Sequence, residues 1–180
     1  DLVRDGKPLA SIVIADASPA PPVRFAAEEL QRYVREMSGA TLPIENDASG
    51  PAIVLSVSED LGEEDAHRLK TDGDRLHLTG ASPRAVLYAV YVLLEKLGCS
   101  FCVPDEETIP KKSSITAPAF DQTEVPAFPY RSQVDFPFTE SPFGWSLALI
   151  DWLAKNRFNW YHPAPNAYGE PTVYLERRER

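Results

Sequence analysis

Sulfur, histidine and positive charge are scarce in this chain. Its 180 residues hold one Met, two Cys and three His, and 18 Lys and Arg stand against 27 Asp and Glu, a net charge of −9. Too few basic residues are present for a nucleic-acid binder or a ligand of anionic membranes, since both need a basic footprint. No apolar run approaches the ~20 residues that carry a helix across a bilayer, which excludes a helical span. The cysteines form a single C-x-x-C, Cys99 to Cys102, with no second pair and no histidines at ligand spacing, so no metal site is expected. The pair follows a helix end marked by Gly98, where the helix dipole has the wrong sign to activate a thiol. Both cysteines are expected to be small buried residues on a strand. H-E-x-x-H, G-x-S-x-G and a glycine-rich phosphate loop are all missing, which leaves zinc-protease, serine-hydrolase and nucleotide-binding readings unsupported, and no cofactor is expected. The first seven residues are polar and charged, and no signal peptide is read within the chain.

What is present is the balance of a folded domain: 43% apolar and 25% charged residues, with 17 Pro, roughly twice the usual ~5% share. The run Ser11-Ile12-Val13-Ile14-Ala15 is apolar and β-branched, the pattern of a strand covered on both faces. Pro21 and Pro22 open a helix whose Val23, Ala26, Ala27, Leu30, Val34 and Met37 share one face, with Gly39 as its stop. Leu42-Pro43-Ile44 reads as an edge piece, because Pro cannot donate within a ladder. Residues 52–57 and 74–79 read as strands, and the acidic residues 59–65 between them as a solvated loop or short helix. Ser82 and Pro83 are a helix cap and first turn. In the helix that follows, Val86, Ala89, Val90, Leu93 and Leu97 form one apolar stripe and Leu87, Tyr91 and Leu94 a second. A helix this apolar around its circumference is buried on more than one side, so a second domain or partner is expected over the second stripe. One more strand is expected at residues 99–103. His67 and His77 are expected at the surface, and Asp105-Glu106-Glu107 in a solvated turn.

From Pro104 to Pro129 five prolines interrupt a stretch with few periodic apolar residues, which reads as an extended connector. Residues 130–135 then read as a strand, residues around Leu147, Ile150, Leu153 and Ala154 as a helix, and residues 157–162 as a strand. Strand, helix, strand is a βα unit leading to a parallel neighbour. Two such units cannot close an eight-stranded barrel, which needs roughly 250 residues. The expected fold class is therefore α+β or α/β. A mixed β-sheet with two main helices comes first, followed by the first βα elements of an incomplete (β/α)8 barrel. The expected boundaries are an accessory domain at 1–120, a Pro-rich connector at 121–129 and the truncated barrel at 130–180.

Three pieces in order carry a family resemblance. They are Phe25-Ala26-Ala27-Glu28-Glu29-Leu30-Gln31-Arg32-Tyr33 with Met37-Ser38-Gly39; Leu78-Thr79-Gly80-Ala81-Ser82-Pro83-Arg84-Ala85-Val86-Leu87-Tyr88 running to Leu97-Gly98-Cys99; and Ile109-Pro110-Lys111. Together, over residues 10–135, they resemble the N-terminal α/β domain that precedes the catalytic barrel in family 67 α-glucuronidases and family 20 β-hexosaminidases. The resemblance implies a non-catalytic accessory domain, a carbohydrate substrate (polysaccharide or glycan), the rest of the barrel as packing partner, and an extracellular or periplasmic setting. It also implies that Arg131, on the first barrel strand, binds sugar hydroxyls and that Asn159 and His162 match an Asn-x-x-His on the second. Ala164 stands where that family has a further His. The catalytic carboxylates of such enzymes lie on later strands, so no catalytic residue is expected within the chain.

From the residues themselves, Arg131 and Asp135 are the fork-shaped cation and carboxylate that grip vicinal hydroxyls. An internal salt bridge is the structural alternative. His162 ends its expected strand, where barrel enzymes keep their sites. Trp145, Trp152, Trp160, Tyr161 and Tyr168 offer rings that stack on sugars or fill a core. A non-enzymatic carbohydrate-binding or scaffold module is the competing reading.

Overall fold

The computed structural model describes residues 1–134 and 147–162, and of residues 133, 134 and 162 the backbone only. The chain divides into two units, residues 1–102 with 106–129, and residues 103–105 with 130–180.

The first unit opens with a small antiparallel pair, β1 (Val3–Arg4) and β2 (Lys7–Pro8), turned through Asp5 and Gly6 with positive φ. Then follow β3 (Ser11–Ile14), α1 (Pro21–Ser38), β4 (Ile44–Glu45), β5 (Ala52–Val57), a 3-10 turn at Glu59–Leu61, β6 (His67–Asp72), β7 (Arg75–Gly80) and α2 (Pro83–Lys96). A short pair, β8 (Ser100–Val103) with β9 (Glu106–Thr108), and β10 (Asp121–Glu124) complete it. Six strands form one mixed sheet in the order β10-β6-β7-β5-β3-β4. Its centre is parallel, with Ile12 opposite Ile53 and Ile53 opposite Leu76; β6 and, outside it, β10 continue the sheet antiparallel, with Leu69 opposite Leu78 and Gln122 opposite Leu69.

Side chains alternate across a strand. On one face Ile12, Ile53, Leu55, Leu69 and Leu78 are fully buried. Helices α1 and α2 pack on the sheet and on each other, so they share that face. On the other face Val13, Ala52 and Val54 form a small cluster with Ala48, beside the hydrogen-bonded hydroxyls of Ser56 and Thr79. The all-round burial predicted for α2 is real: every residue from Ala85 to Leu94 is buried. Its second cover differs from the expectation. At Tyr91 it comes from the same unit, where the ring meets Phe101 edge-on at 5.8 Å and the hydroxyl donates to Glu29 of α1. Burying each of Leu93 and Leu94 contributes about 2 kcal/mol.

The stretch expected to be a bare connector contains two strands, β9 and β10, and β10 joins the main sheet. Its residues Asp121-Gln122-Thr123-Glu124 are polar and carry no apolar alternation, so periodicity missed them. β6, whose sequence His67-Arg68-Leu69-Lys70-Thr71-Asp72 reads as polar, was missed likewise. His67 is buried, not superficial, and Cys102 is exposed while Cys99 is buried.

The second unit, as described, holds β11 (Ser132–Val134), α3 (Leu147–Lys155) and β12 (Trp160–His162). The two strands pair in parallel, Ser132 opposite Trp160 and Val134 opposite His162. On α3 the buried residues are Leu149, Leu153 and Lys155, the last paired with Asp151; Leu147 and Ile150, which mark the helical spacing in the sequence, are exposed. Among the described residues no helix is long and apolar enough to cross a membrane.

Gly80 joins β7 to α2, and the first turn of α2 rests on it. A β-carbon there would lie 2.3 Å from the Val86 nitrogen and 2.5 Å from the Ala85 carbonyl carbon. Ser82 caps the helix, its hydroxyl accepting from the Ala85 N–H at 3.2 Å. Gly80→Ala is expected to destabilise the protein by about 3 kcal/mol, because backbone must move to admit the methyl group. Gly50→Ala, where a β-carbon meets nothing within 4 Å, is expected to change stability by less than about 0.5 kcal/mol. Urea unfolding midpoints measure both.

Candidate functional site

The residues expected to touch sugar lie in the second unit. Arg131 immediately precedes β11 and Asn159 immediately precedes β12, and the parallel pairing brings these two strand starts together. The Arg131 N–H donates to Asn159 Oδ1 at 2.9 Å, and the N–H groups of Asn159 and Trp160 both donate to the Arg131 carbonyl, at 3.1 and 3.2 Å. The Arg131 side chain turns to the loop behind, its Nε donating to the Arg157 carbonyl at 2.7 Å. Arg157 holds a positive φ of 63° where α3 ends, so the loop's shape and the arginine's position are set together. The end of α3 is closed by backbone bonds from Asn156 to Trp152 and from Phe158 to Leu153, with the rings of Trp152 and Phe158 stacked at 5.9 Å.

Val134 and His162 stand opposite one another where the strands run out. At ~3.3 Å per residue, three residues separate Asn159 from His162 by about 10 Å along the strand. The structure therefore brings Arg131 and Asn159 together at one end and sets the His162 backbone at the other. Asp135 lies outside the described residues, as do Trp145, Ala164 and Tyr168. Beside Asn159, the exposed rings of Tyr130 and Trp160 meet edge to face, centroids 5.8 Å apart. No group of three or more His, Cys, Asp and Glu that would hold a metal ion is found among the described residues.

A second polar constellation, in the first unit, was not foreseen. Glu29 is buried on α1 and is gripped in a fork by Arg32, Nε to Oε1 at 2.9 Å and Nη2 to Oε2 at 3.2 Å. The Tyr91 hydroxyl donates to Oε2 at 3.0 Å. Arg32 also reaches Glu36 at 3.0 Å, and the Tyr33 hydroxyl donates to Glu107 of β9 at 2.8 Å. Glu107 is thus engaged, not part of a purely solvated turn. Burial works against the Arg32 charge, but the bonds and field of Glu29 outweigh it and hold the guanidinium above its ordinary range. Burial, and then the bond to Glu107, push the Tyr33 phenol upward. Arg32 stays charged and Tyr33 neutral through neutral pH, which suits a clamp joining α1, α2 and β9 and not acid–base chemistry. The signal in sequence was Glu29 itself, an acid on the apolar stripe of α1 next to Leu30.

Removing the Glu29 carboxylate takes the two-point partner from the part-buried Arg32 guanidinium, which keeps Glu36, and the acceptor from the buried Tyr91 hydroxyl. Glu29→Ala is expected to lower unfolding free energy by about 3 kcal/mol, the low end for a broken buried pair because Arg32 is partly solvated. Tyr91→Phe removes one bond and is expected to cost about 1 kcal/mol. Denaturant titration distinguishes them.

Burial also pushes the Cys99 thiol from its ordinary value near 9 up to about 11. The thiolate is the reactive form, so at pH 8.5 iodoacetamide is expected to modify Cys102 in the native protein and to spare Cys99. Because the folded value is the higher one, the contribution of Cys99 to stability is complete below pH 9 and is lost as pH rises toward 11. Peptide mapping and stability measured across that interval check both statements.

No protein-family model and no curated protein sequence matches the chain. Solved structures do share its fold. A family GH115 4-O-methyl-α-glucuronidase with specificity for decorated arabinogalactans is similar over 91% of this chain at 20% identity, with a TM-score of 0.69. The GH20 exo-β-N-acetylglucosaminidase of Vibrio harveyi is similar over 85% at 19% identity (TM-score 0.59), and the GH20 β-N-acetylhexosaminidase of Streptomyces coelicolor over 86% at 21% identity (TM-score 0.58). This chain spans 26%, 21% and 30% of those chains. The fold of this chain, a mixed sheet of six strands backed by two helices with a parallel strand pair after it, is one it shares with segments of glycoside hydrolases of families GH115 and GH20.

Proposed function

We propose that this chain is the N-terminal portion of a carbohydrate-active enzyme, α-glucuronidase- or hexosaminidase-like, that hydrolyses glycosidic bonds outside the cytoplasm. The first unit is its accessory domain. The β11–α3–β12 unit opens a (β/α)8 barrel whose catalytic carboxylates are supplied by chain beyond Arg180. The observation that carries this reading is a parallel strand pair joined by a helix, directly following a sheet domain, in a chain whose fold over 91% of its length is shared with a glucuronidase.

In this reading the four sugar-site residues divide by position. Parallel barrels hold their sites at the ends where strands finish. His162, the last residue of β12, and Asp135, next in sequence after β11, are the two assigned to sugar hydroxyls by their place in the sequence. Arg131 and Asn159 act through the strands: their mutual bonds fix the register that sets His162 opposite Val134. Glycoside hydrolysis needs two carboxyl groups about 5–9.5 Å apart across the scissile bond, and the reading places both outside this chain.

The alternative, a carbohydrate-binding module without catalysis, is favoured by one observation: the exposed, ordered pair Tyr130 and Trp160, since aromatic faces stack on sugar rings. Residues 1–180 alone are expected to show no turnover of aryl glucuronides or aryl N-acetylglucosaminides, while the longer protein turns over one of them. In that longer protein His162→Ala is expected to lower kcat/KM by about tenfold to a hundredfold, the loss of one or two hydrogen bonds to substrate. Turnover by residues 1–180 would overturn the assignment of the carboxylates. Sugar binding by residues 1–180 that Trp160→Ala abolishes, with no activity in the longer protein, would establish the module instead.

A further inference from the structure

His67 opens β6 and faces α2, its side chain only 3% exposed. Both of its ring nitrogens look at acceptors. Nδ1 lies 3.1 Å from the backbone carbonyl oxygen of Asp65. Nε2, buried and without a hydrogen-bond partner, lies 3.4 Å from Oε2 of Glu124, a half-exposed side chain on β10. Carbonyl and carboxylate oxygens have no proton to give. Neutral imidazole has one N–H and answers one of them, turning a lone pair toward the other; imidazolium has two and answers both.

The groups around the ring leave that logic in place. From α2, Tyr88 meets the ring at an angle of 69°, and Arg84 is engaged by Asp65 at 2.9 Å and Glu64 at 3.1 Å. On β7 the residue opposite His67 is Gly80, and on β10 it is Glu124 itself. β10 is the outermost strand of the sheet. A second tie holds it, Arg68 to Asp121 at 2.8 Å, and the bond from Arg68 keeps the Asp121 carboxyl below its ordinary range, so that tie stays charged through neutral pH.

We propose that His67 and Glu124 form a proton-operated clasp on β10. When His67 carries both protons, Nδ1–H donates to the Asp65 carbonyl, Nε2–H donates to Glu124, and the edge strand is fixed. When the Nε2 proton leaves, the carboxylate faces a lone pair, the clasp releases, and β10 keeps its ladder, Arg68 and the Phe120–Thr71 bonds at its start. The clasp therefore closes when the ring gains its second proton and opens when it loses it. It sits at the last residue of β10, five residues before the first unit ends at Pro129.

Amide hydrogen exchange of residues 119–126 in the whole protein, at about pH 5.5 and about pH 8 and corrected for intrinsic rates, tests the clasp. In the unaltered protein the β10 amides are expected to be about tenfold better protected at the lower pH. In Glu124→Gln, a change at a half-exposed position, protection is expected to be the same at both. Asp121→Asn is expected to reduce protection at both pH values alike. A pH response in Glu124→Gln equal to that of the unaltered protein overturns the proposal. So does a nitrogen-15 shift showing an unprotonated His67 Nε2 at pH 5.5.

Discussion

The structure depends on the burial of one helix on every side. From Ala85 to Leu94 no residue of α2 reaches solvent appreciably, so its neighbours are not optional. The sheet covers one flank through Leu69, Leu78 and Leu55, and α1 with Phe101 covers Tyr91. Interiors are close-packed, and a helix enclosed in this way fixes the distance between the layers around it. Gly80 shows how tight the arrangement is, because the strand feeding α2 comes within van der Waals contact of the helix's own first turn. The Glu29 fork is the polar counterpart. It lets Tyr91 bury its ring while its hydroxyl remains satisfied, at the cost of drawing a carboxylate and part of a guanidinium into the same layer.

Much of this was legible in the residues. Ile12 to Ile14, Ile53 to Leu55 and Leu76 to Leu78 announce central strands by apolar runs or alternation, and Ser82 with Pro83 announces a helix start that the hydroxyl of Ser82 realises. The stripe on α1 from Val23 to Met37 is buried as spacing predicted, and Gly39 ends it with a φ of 79°. The failures share a cause. β10 is an edge strand of four polar residues and β6 beside it alternates buried with polar positions, so backbone pairing rather than side-chain transfer makes them strands. The reading of His67 as superficial failed with them, since the ring is buried against Tyr88 of α2 and beside Glu124 of β10.

The sugar-facing residues were legible only in part. Sequence named Arg131 and Asn159 for chemistry, and the fold sets them side by side; the bonds that join them run through backbone groups and an amide side chain, which no spacing rule announces. The second stripe of α2 was read correctly as needing a cover. What sequence did not reveal is that the cover at Tyr91 was already in hand, at Glu29, 62 residues earlier, and at Phe101, ten residues later, because a helix pair on one face of a sheet leaves no periodicity that distinguishes an internal neighbour from a foreign one.

The position of β10 has a consequence for biogenesis. Its partner β6 is complete by Asp72, yet the pairing waits for Asp121 to Glu124. While the ribosome delivers the intervening residues, α2 and the centre of the sheet can assemble around an outermost strand whose N–H and C=O groups have nothing to bond. Unpaired strand rims of this kind invite other chains. Lys70 and Arg68, on that rim, give the nascent sheet a positive border in an otherwise acidic polypeptide, a guard during the interval before its own last strand arrives.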